Sequence, residues 1–349
     1  MAARRLQTML EINAIFERFG PAISFPRTLR MTHAQQARKA EGGYVSFGDD
    51  GLVFKYRVPE AACINGALPL SAMLALIDET TTWASVGLDK YRRPGVSLAL
   101  EAVRTRAAPV RAGDDLVITS RATKIGRAMG FLSASVADAA TGEQLASGRH
   151  TKYLVMFTGW NTLLSCSSPA VPALTAYVRS RPPPPEAPGG ESAEGSATPA
   201  LDGPARGLGQ LAELSGAVAG TGSGVGAAWA CDFTCEKRHL NGMPEGFAGM
   251  HGGAQAIVHE LGAAAALEAA APTRGALQLE ELSLSYLSSG PLGGCTLAAQ
   301  PQPVPAGRAT GGGGVSAHEL LCSSRLLAGG AGPSGLLVSD ARTRFVRVG

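Results

Sequence analysis

The stretch Gly246-Phe-Ala-Gly-Met-His-Gly-Gly-Ala-Gln-Ala-Ile-Val-His-Glu260 sets a histidine among small residues at the start of an apolar periodic run. Gly249, Gly252 and Gly253 keep side chains away from that start, and Ile257, Val258, Leu261 and Ala265 then recur at helical spacing. The first turn of a helix carries N–H groups without intrahelical acceptors and a partial positive charge. His251-Gly252-Gly253 is therefore suited to hold an oxyanion or to polarise a carbonyl. The same residues also read as a glycine-rich turn leading into an ordinary buried helix.

The elements around this point occur twice. In the first half, 43–58 reads as two strands joined by the Asp49-Asp50-Gly51 turn, and 59–69 as loop. From Leu70 the residues Met73, Leu74, Ile77, Thr81 and Ala84 mark a helix of about four turns, and strands follow at 96–103, 115–125, 129–137 and 145–156. In the second half a strand at 227–237 and a loop at 238–250 lead into a helix from Gly252 to Ala270. Strands are expected at 275–287, 295–302, 316–328 and 335–348. One helix against an antiparallel sheet is an α+β layout, and two copies of one order imply a duplication. The domains expected are an extension at 1–40, a first domain at 41–156, a linker at 157–220 and a second domain at 221–349. The proline-rich run 181–199 lacks the apolar residues to fold and reads as disordered linker; Gly311–Gly314 reads as a flexible insertion rather than a phosphate cradle.

An apolar share of 45% suits a globular protein of two domains, and a net charge of +3 without basic-aromatic interleaving argues against nucleic acid as a partner. No run of apolar residues is long enough to predict a membrane span. The six cysteines (Cys63, Cys166, Cys231, Cys235, Cys295 and Cys322) are scattered and read as reduced thiols in a reducing compartment, with no metal site and no cofactor expected. Residues 1–31 carry Arg4, Arg5, Arg18, Arg27 and Arg30 against Glu11 and Glu17. They fit a cleaved transit peptide or a helix packed on the domain, so an organellar matrix and the cytoplasm both stay open.

The repeated order, with Pro94-Gly-Val-Ser-Leu98, Ala112-Gly-Asp-Asp-Leu-Val-Ile-Thr119, Gly148-Arg-His-Thr-Lys-Tyr-Leu154, His251-Gly252-Gly253 and Leu282-Ser-Leu-Ser-Tyr-Leu287, resembles the hotdog-fold acyl-CoA thioesterases of the PaaI-like family. The resemblance implies two tandem hotdog domains, each a sheet wrapped around one long helix, paired as an internal pseudo-dimer. Further homo-oligomerisation stays open. It also implies an acyl-CoA substrate, fatty or aryl, hydrolysed by base-activated water. A non-catalytic hotdog protein that binds acyl groups or serves in an assembly is the alternative.

Carried over residue by residue, the resemblance assigns carbonyl binding to Asn241, His251 and Gly252 and the base to Asp78, with Ser97 beside it. Asn65 and Glu260 stand as remnants of a second site, because the first copy has Pro69-Leu70-Ser71 where the second has His-Gly-Gly. Nine residues from His251 to Glu260 span roughly 13 Å of helix, too far for one helix to complete its own site. Asp78 is therefore expected opposite His251, and burial is expected to raise its pKa. His150 and His259 read as structural, and Arg149 and Lys152 as solvated charges rather than ligands of CoA phosphates.

Overall fold

Two long helices, Leu70–Leu88 and Gly252–Ala270, are the cores of the two halves in the computed structural model. It describes residues 2–20, 24–37, 42–48, 51–106, 108–154, 170–180, 217–218, 229–241, 249–270, 275–288, 290, 292–303, 319–329 and 336–348. The first helix starts after Pro69, whose fixed φ and missing N–H suit a helix start, and it ends at Asp89, whose carboxylate is bound by the Arg93 guanidinium at 2.7 Å. Both helices are buried almost all round. Sheet covers one side of each, the other core helix covers part of the rest, and the N-terminal helix also packs on the first, so their apolar pattern is broad rather than a narrow stripe.

Among the described residues twelve antiparallel strands form one sheet. They are β1 Gly43–Gly48, β2 Gly51–Arg57, β3 Val96–Arg104, β4 Asp115–Ile125, β5 Met129–Asp138 and β6 Gln144–Tyr153 in the first half. In the second they are β7 Ala217–Val218, β8 Trp229–Cys235, β9 Ala276–Tyr286, β10 Gly293–Gln302, β11 Glu319–Ala328 and β12 Leu336–Val348. The order β1-β2-β4-β5-β6-β3-β9-β12-β11-β10-β8-β7 has the same sequence of elements from either end. The halves are sewn together by β3 and β9, in register from Ala99 with Ser285 to Val103 with Glu281. Each half is a hotdog domain and the pair is an internal pseudo-dimer. The α+β duplication is thus present, with helix starts at Leu70 and Gly252 as expected.

The helices cross where Gly253 lies against Ala75. A β-carbon at Gly253 would meet the Ala75 side chain, come within 2.8 Å of its Cα and lie 3.0 Å from the Phe25 ring. We expect Gly253→Ala to cost about 1–3 kcal/mol by overpacking, read as a lower denaturation midpoint with an unchanged slope. An unchanged midpoint would show that the helices separate freely.

Residues before β1 fold onto the first domain. The helix Ala2–Phe19 buries Met9, Ile12, Ile15 and Phe16, and the short helix Phe25–Thr28 is tied to the second half by the Phe25 N–H donating to the Leu240 carbonyl at 2.8 Å. Much of the stretch expected as linker, including the whole run 181–199, lies outside the described residues, as do 311–314 and the turn residues 49 and 50. Within that stretch Ala170–Arg179 is a helix, a difference from the expectation. It packs on Ala2–Phe19, where Tyr177 stacks on Phe19 at 6.2 Å between ring centroids. Cys63, Cys231, Cys235, Cys295 and Cys322 are free thiols, while Cys166 lies outside the described residues. No described helix is long and apolar enough to cross a membrane.

Candidate active site

The first core helix delivers Asp78 to the start of the second. Its carboxylate is buried, with Oδ2 3.6 Å from His251 Nδ1 and Oδ1 3.6 Å from His150 Nε2. Gly252 makes this approach feasible: a β-carbon there would sit 2.6 Å from Asp78 Oδ2 and 2.9 Å from the Tyr286 hydroxyl. Ser97, at the start of β3, donates its hydroxyl to Asp78 Oδ1 at 3.3 Å. Asn241, His251, Gly252, Asp78 and Ser97 all line one cavity of about 460 Å³ between the halves. The five residues assigned to one composite site are thus brought together from elements more than 100 residues apart in the chain.

Local bonds define the protons. The Gly253 N–H donates to His251 Nδ1 at 2.9 Å, so that nitrogen is an acceptor and the ring proton is on Nε2, 3.6 Å from Glu79 Oε2. Glu79 is in turn held by the Trp83 indole N–H at 2.8 Å, and Phe25 stacks on the His251 ring at 4.8 Å. The Gly252 N–H lies in the first helical turn and has no intrahelical acceptor. Tyr286 donates its hydroxyl to the Gly252 carbonyl at 3.1 Å.

His150 belongs to this site rather than to the core alone. Its Nε2 is 2.9 Å from the Ser97 hydroxyl and its Nδ1 2.6 Å from that of Thr81. With Asp78 ionised, Ser97 must donate to it. His150 then donates to Ser97 through Nε2–H, while the Thr81 hydroxyl is shared between His150 Nδ1 and the Ile77 carbonyl. Burial, then the charge of Lys152, pushes the His150 pKa down to about 3, so the ring is neutral at physiological pH.

The expected rise in the Asp78 pKa is not found; it lies below the ordinary carboxylate value. Burial alone would raise it, but its electrostatic interactions with His251, His150 and Lys152, together with the Ser97 hydrogen bond, outweigh that cost. Lys152 also departs from expectation. It is buried, donates to the Thr82 hydroxyl at 2.8 Å and lines the cavity, because β6 turns Ala146, Gly148, His150 and Lys152 inward. Arg149, one residue out of phase, is exposed as expected.

The reciprocal position is filled from within. Glu260 accepts the Ser71 N–H at 3.0 Å, so the second helix's carboxylate occupies the N-terminus of the first. Burial raises its pKa, while its bonds to Ser71 and the charge of Arg104 pull the other way. Asn65, expected as a remnant of that site, is an exposed residue with φ 51° in the turn closed between Ile64 and Ala67, and no hydrogen bond joins it to Glu260.

No protein-family model matches the chain. Over 111 residues it is 31% identical to acyl-coenzyme A thioesterase 13 of Mus musculus, covering 32% of this chain and 77% of that protein. Over 89 residues it is 35% identical to acyl-coenzyme A thioesterase 13 of Homo sapiens. That match covers 26% of this chain and spans 61% of the human protein's length. Among solved structures, the tesB protein of Mycobacterium avium subsp. paratuberculosis superposes with a TM-score of 0.51 at 10% identity, covering 91% of this chain and all of that one. A hot dog fold protein of unknown function from Alicyclobacillus acidocaldarius gives 0.51 at 12% identity, covering 86% and 94%. At such identities these two likenesses concern the fold alone.

Proposed function

Since this chain belongs to the acyl-coenzyme A thioesterase 13 family of hotdog proteins, we propose that it hydrolyses acyl-CoA thioesters at the single composite site between its halves. The observation that carries this reading is a buried, ionised carboxylate facing a helix start whose Gly252 N–H has no intrahelical acceptor. In the proposed reaction the thioester carbonyl oxygen accepts from the Gly252 N–H, with the Asn241 side chain and His251 beside it. A water held by Asp78 and Ser97 attacks the carbonyl carbon, and Asp78 takes its proton. Negative charge gathers on the oxyanion, where the helix N-terminus stabilises it. Collapse breaks the carbon–sulfur bond, and the thiolate leaves with the proton from Asp78, yielding a carboxylic acid and CoA.

Thiol release measured over short, long and aryl acyl-CoAs tests this directly. His251→Ala should lower kcat/KM by about tenfold to a hundredfold, the scale of losing a polarising group at the carbonyl. Binding of acyl-CoA without release of any thiol would instead support the non-catalytic reading. Undiminished turnover in both His251→Ala and Asp78→Ala would reject the proposed site.

A further inference from the structure

Two buried residues of the cavity lining each carry a polar atom with no partner among the described residues, the Ser24 hydroxyl and Gln255 Oε1. Ser24 is 1% exposed and Gln255 2%. Ser24 precedes the short helix Phe25–Thr28, yet its hydroxyl makes no capping bond there. The Gln255 amide has one orientation: Nε2 donates to the Met250 carbonyl at 3.2 Å, and a carbonyl only accepts, so Oε1 is left as a buried acceptor. Such an atom is costly to leave unpaired, and it calls for a ligand that brings an N–H or an O–H.

Both residues belong to the end of the cavity at the second helix start. The Phe25 N–H donates to the Leu240 carbonyl at 2.8 Å, Leu240 is bridged to Met250, and Met250 holds the Gln255 amide. Phe25 also stacks on His251, whose carbonyl accepts the Gln255 N–H at 3.1 Å. Gln255 follows Gly252 by three residues, about 4.5 Å along the helix. The segment before β1 is part of the lining, through Phe16, Ser24 and Pro26. The duplication does not account for the pair. Ser24 lies outside both copies, and four residues after Pro69 the first core helix has Met73, where Gln255 stands four after His251.

We propose that Ser24 and Gln255 form a hydrogen-bonding subsite for a substrate group that donates and accepts at once, its proton going to Gln255 Oε1 and the Ser24 hydroxyl donating back to it. Acyl-CoA offers that chemistry from two sources: the pantetheine amide that sulfur and two methylenes separate from the carbonyl, or a hydroxyl on the acyl chain. This rests on the thioester reading of the site and adds a recognition element apart from the reacting groups. The N-terminal segment is then a part of substrate selection.

The first source is tested on the full chain with octanoyl thioesters of N-acetylcysteamine, which carries that amide, and of 1-pentanethiol, which replaces it with methylenes. The wild-type preference in kcat/KM for the amide-bearing ester should fall by about tenfold to a hundredfold in Gln255→Leu, the scale of satisfying a buried acceptor. Differences in the esters' intrinsic reactivity cancel in that comparison. Ser24→Ala removes a hydroxyl bonded to no described residue, so it keeps the fold, and it should reduce the preference in the same direction. 3-Hydroxyoctanoyl-CoA against octanoyl-CoA tests the second source in the same variants. A preference lost in the variants for either pair supports the subsite and names its ligand group. Preferences equal in wild type and both variants, for both pairs, would overturn it.

Calorimetric binding separates this subsite from the hydrolase reading. Binding of the amide-bearing ester or of 3-hydroxyoctanoyl-CoA that weakens in Gln255→Leu, without thiol release by wild type, keeps the subsite and removes the hydrolase. Turnover with unmoved preferences does the reverse, and absence of both binding and turnover removes both.

Discussion

Asp78→Asn lowers acyl-CoA turnover by about 100- to 10,000-fold, the range of a positioned general base, with KM nearly unchanged. Asparagine keeps the side-chain shape and an acceptor for Ser97 but cannot take the proton of the attacking water. The mutant must be shown folded by circular dichroism, because an aspartate whose folded pKa is depressed also stabilises the protein above its unfolded pKa. Glu260→Gln is the matching control. That carboxylate faces Ser71 rather than a histidine, so its loss should affect stability far more than turnover. Retention of turnover within tenfold in Asp78→Asn would remove Asp78 as the base. A kcat/KM profile should show no acid limb from Asp78 above its ordinary pKa of 3.8, since the folded group is ionised down to lower pH.

Acid should unfold the protein well before its carboxylates are protonated. His150 and His259 are buried, and each has its pKa lowered to about 3, for both chiefly by burial. Their folded pKa lies below the unfolded value of about 6.5, so their neutral packing is fully compatible with folding above pH 6.5 and increasingly opposed as pH falls towards 3. Each contributes a loss of roughly 1.4 kcal/mol per pH unit in that window, about 5 kcal/mol for the pair by pH 4.5. That is comparable with the whole stability of many domains. Glu260, whose pKa is raised, acts in the opposite sense just above the ordinary carboxylate value and offsets part of the loss. The thermal midpoint followed by circular dichroism should therefore drop steeply from pH 6.5 to 4.5. A flat profile would mean that these imidazoles find water or proton acceptors when charged. His259 is the cleaner reporter, because burial is the cause of its shift and among the described residues its ring nitrogens meet the Ser324 and Ser339 hydroxyls at 2.7 and 3.0 Å.

Periodicity was enough to place both core helices and every strand but the short β7, which falls in the stretch expected as linker, because an apolar pattern of period 3.6 or 2 is imposed locally by the face that each element must bury. The resemblance, joined to the length of a nine-residue helical step, put Asp78 opposite the start of the second helix; no local signal did. Lys152 was misjudged by residue type, although its phase was available: Gly148, His150 and Lys152 alternate with exposed Arg149 along β6. Burial of such groups depends on partners that are distant in the chain, Thr81, Thr82 and Asp78, and no short window contains them. The depressed pKa of Asp78 escaped for the same reason. Its apolar helix signalled desolvation, whereas the groups that oppose it lie on β6 and at the second helix start. Phe16 and Phe25 were invisible as site residues because nothing in an amphipathic N-terminal helix states what its apolar face will meet.

The bond from Ser71 to Glu260 has a consequence for how such a chain can change over time. When two identical subunits pair, any substitution falls on both of their sites at once, and a helix start without donors would silence the whole assembly. Once the copies are joined in one polypeptide, each position mutates alone. Under the proposed reading, one half was thus at liberty to use its own helix start as a fastening between the helices, leaving the chemistry to the other.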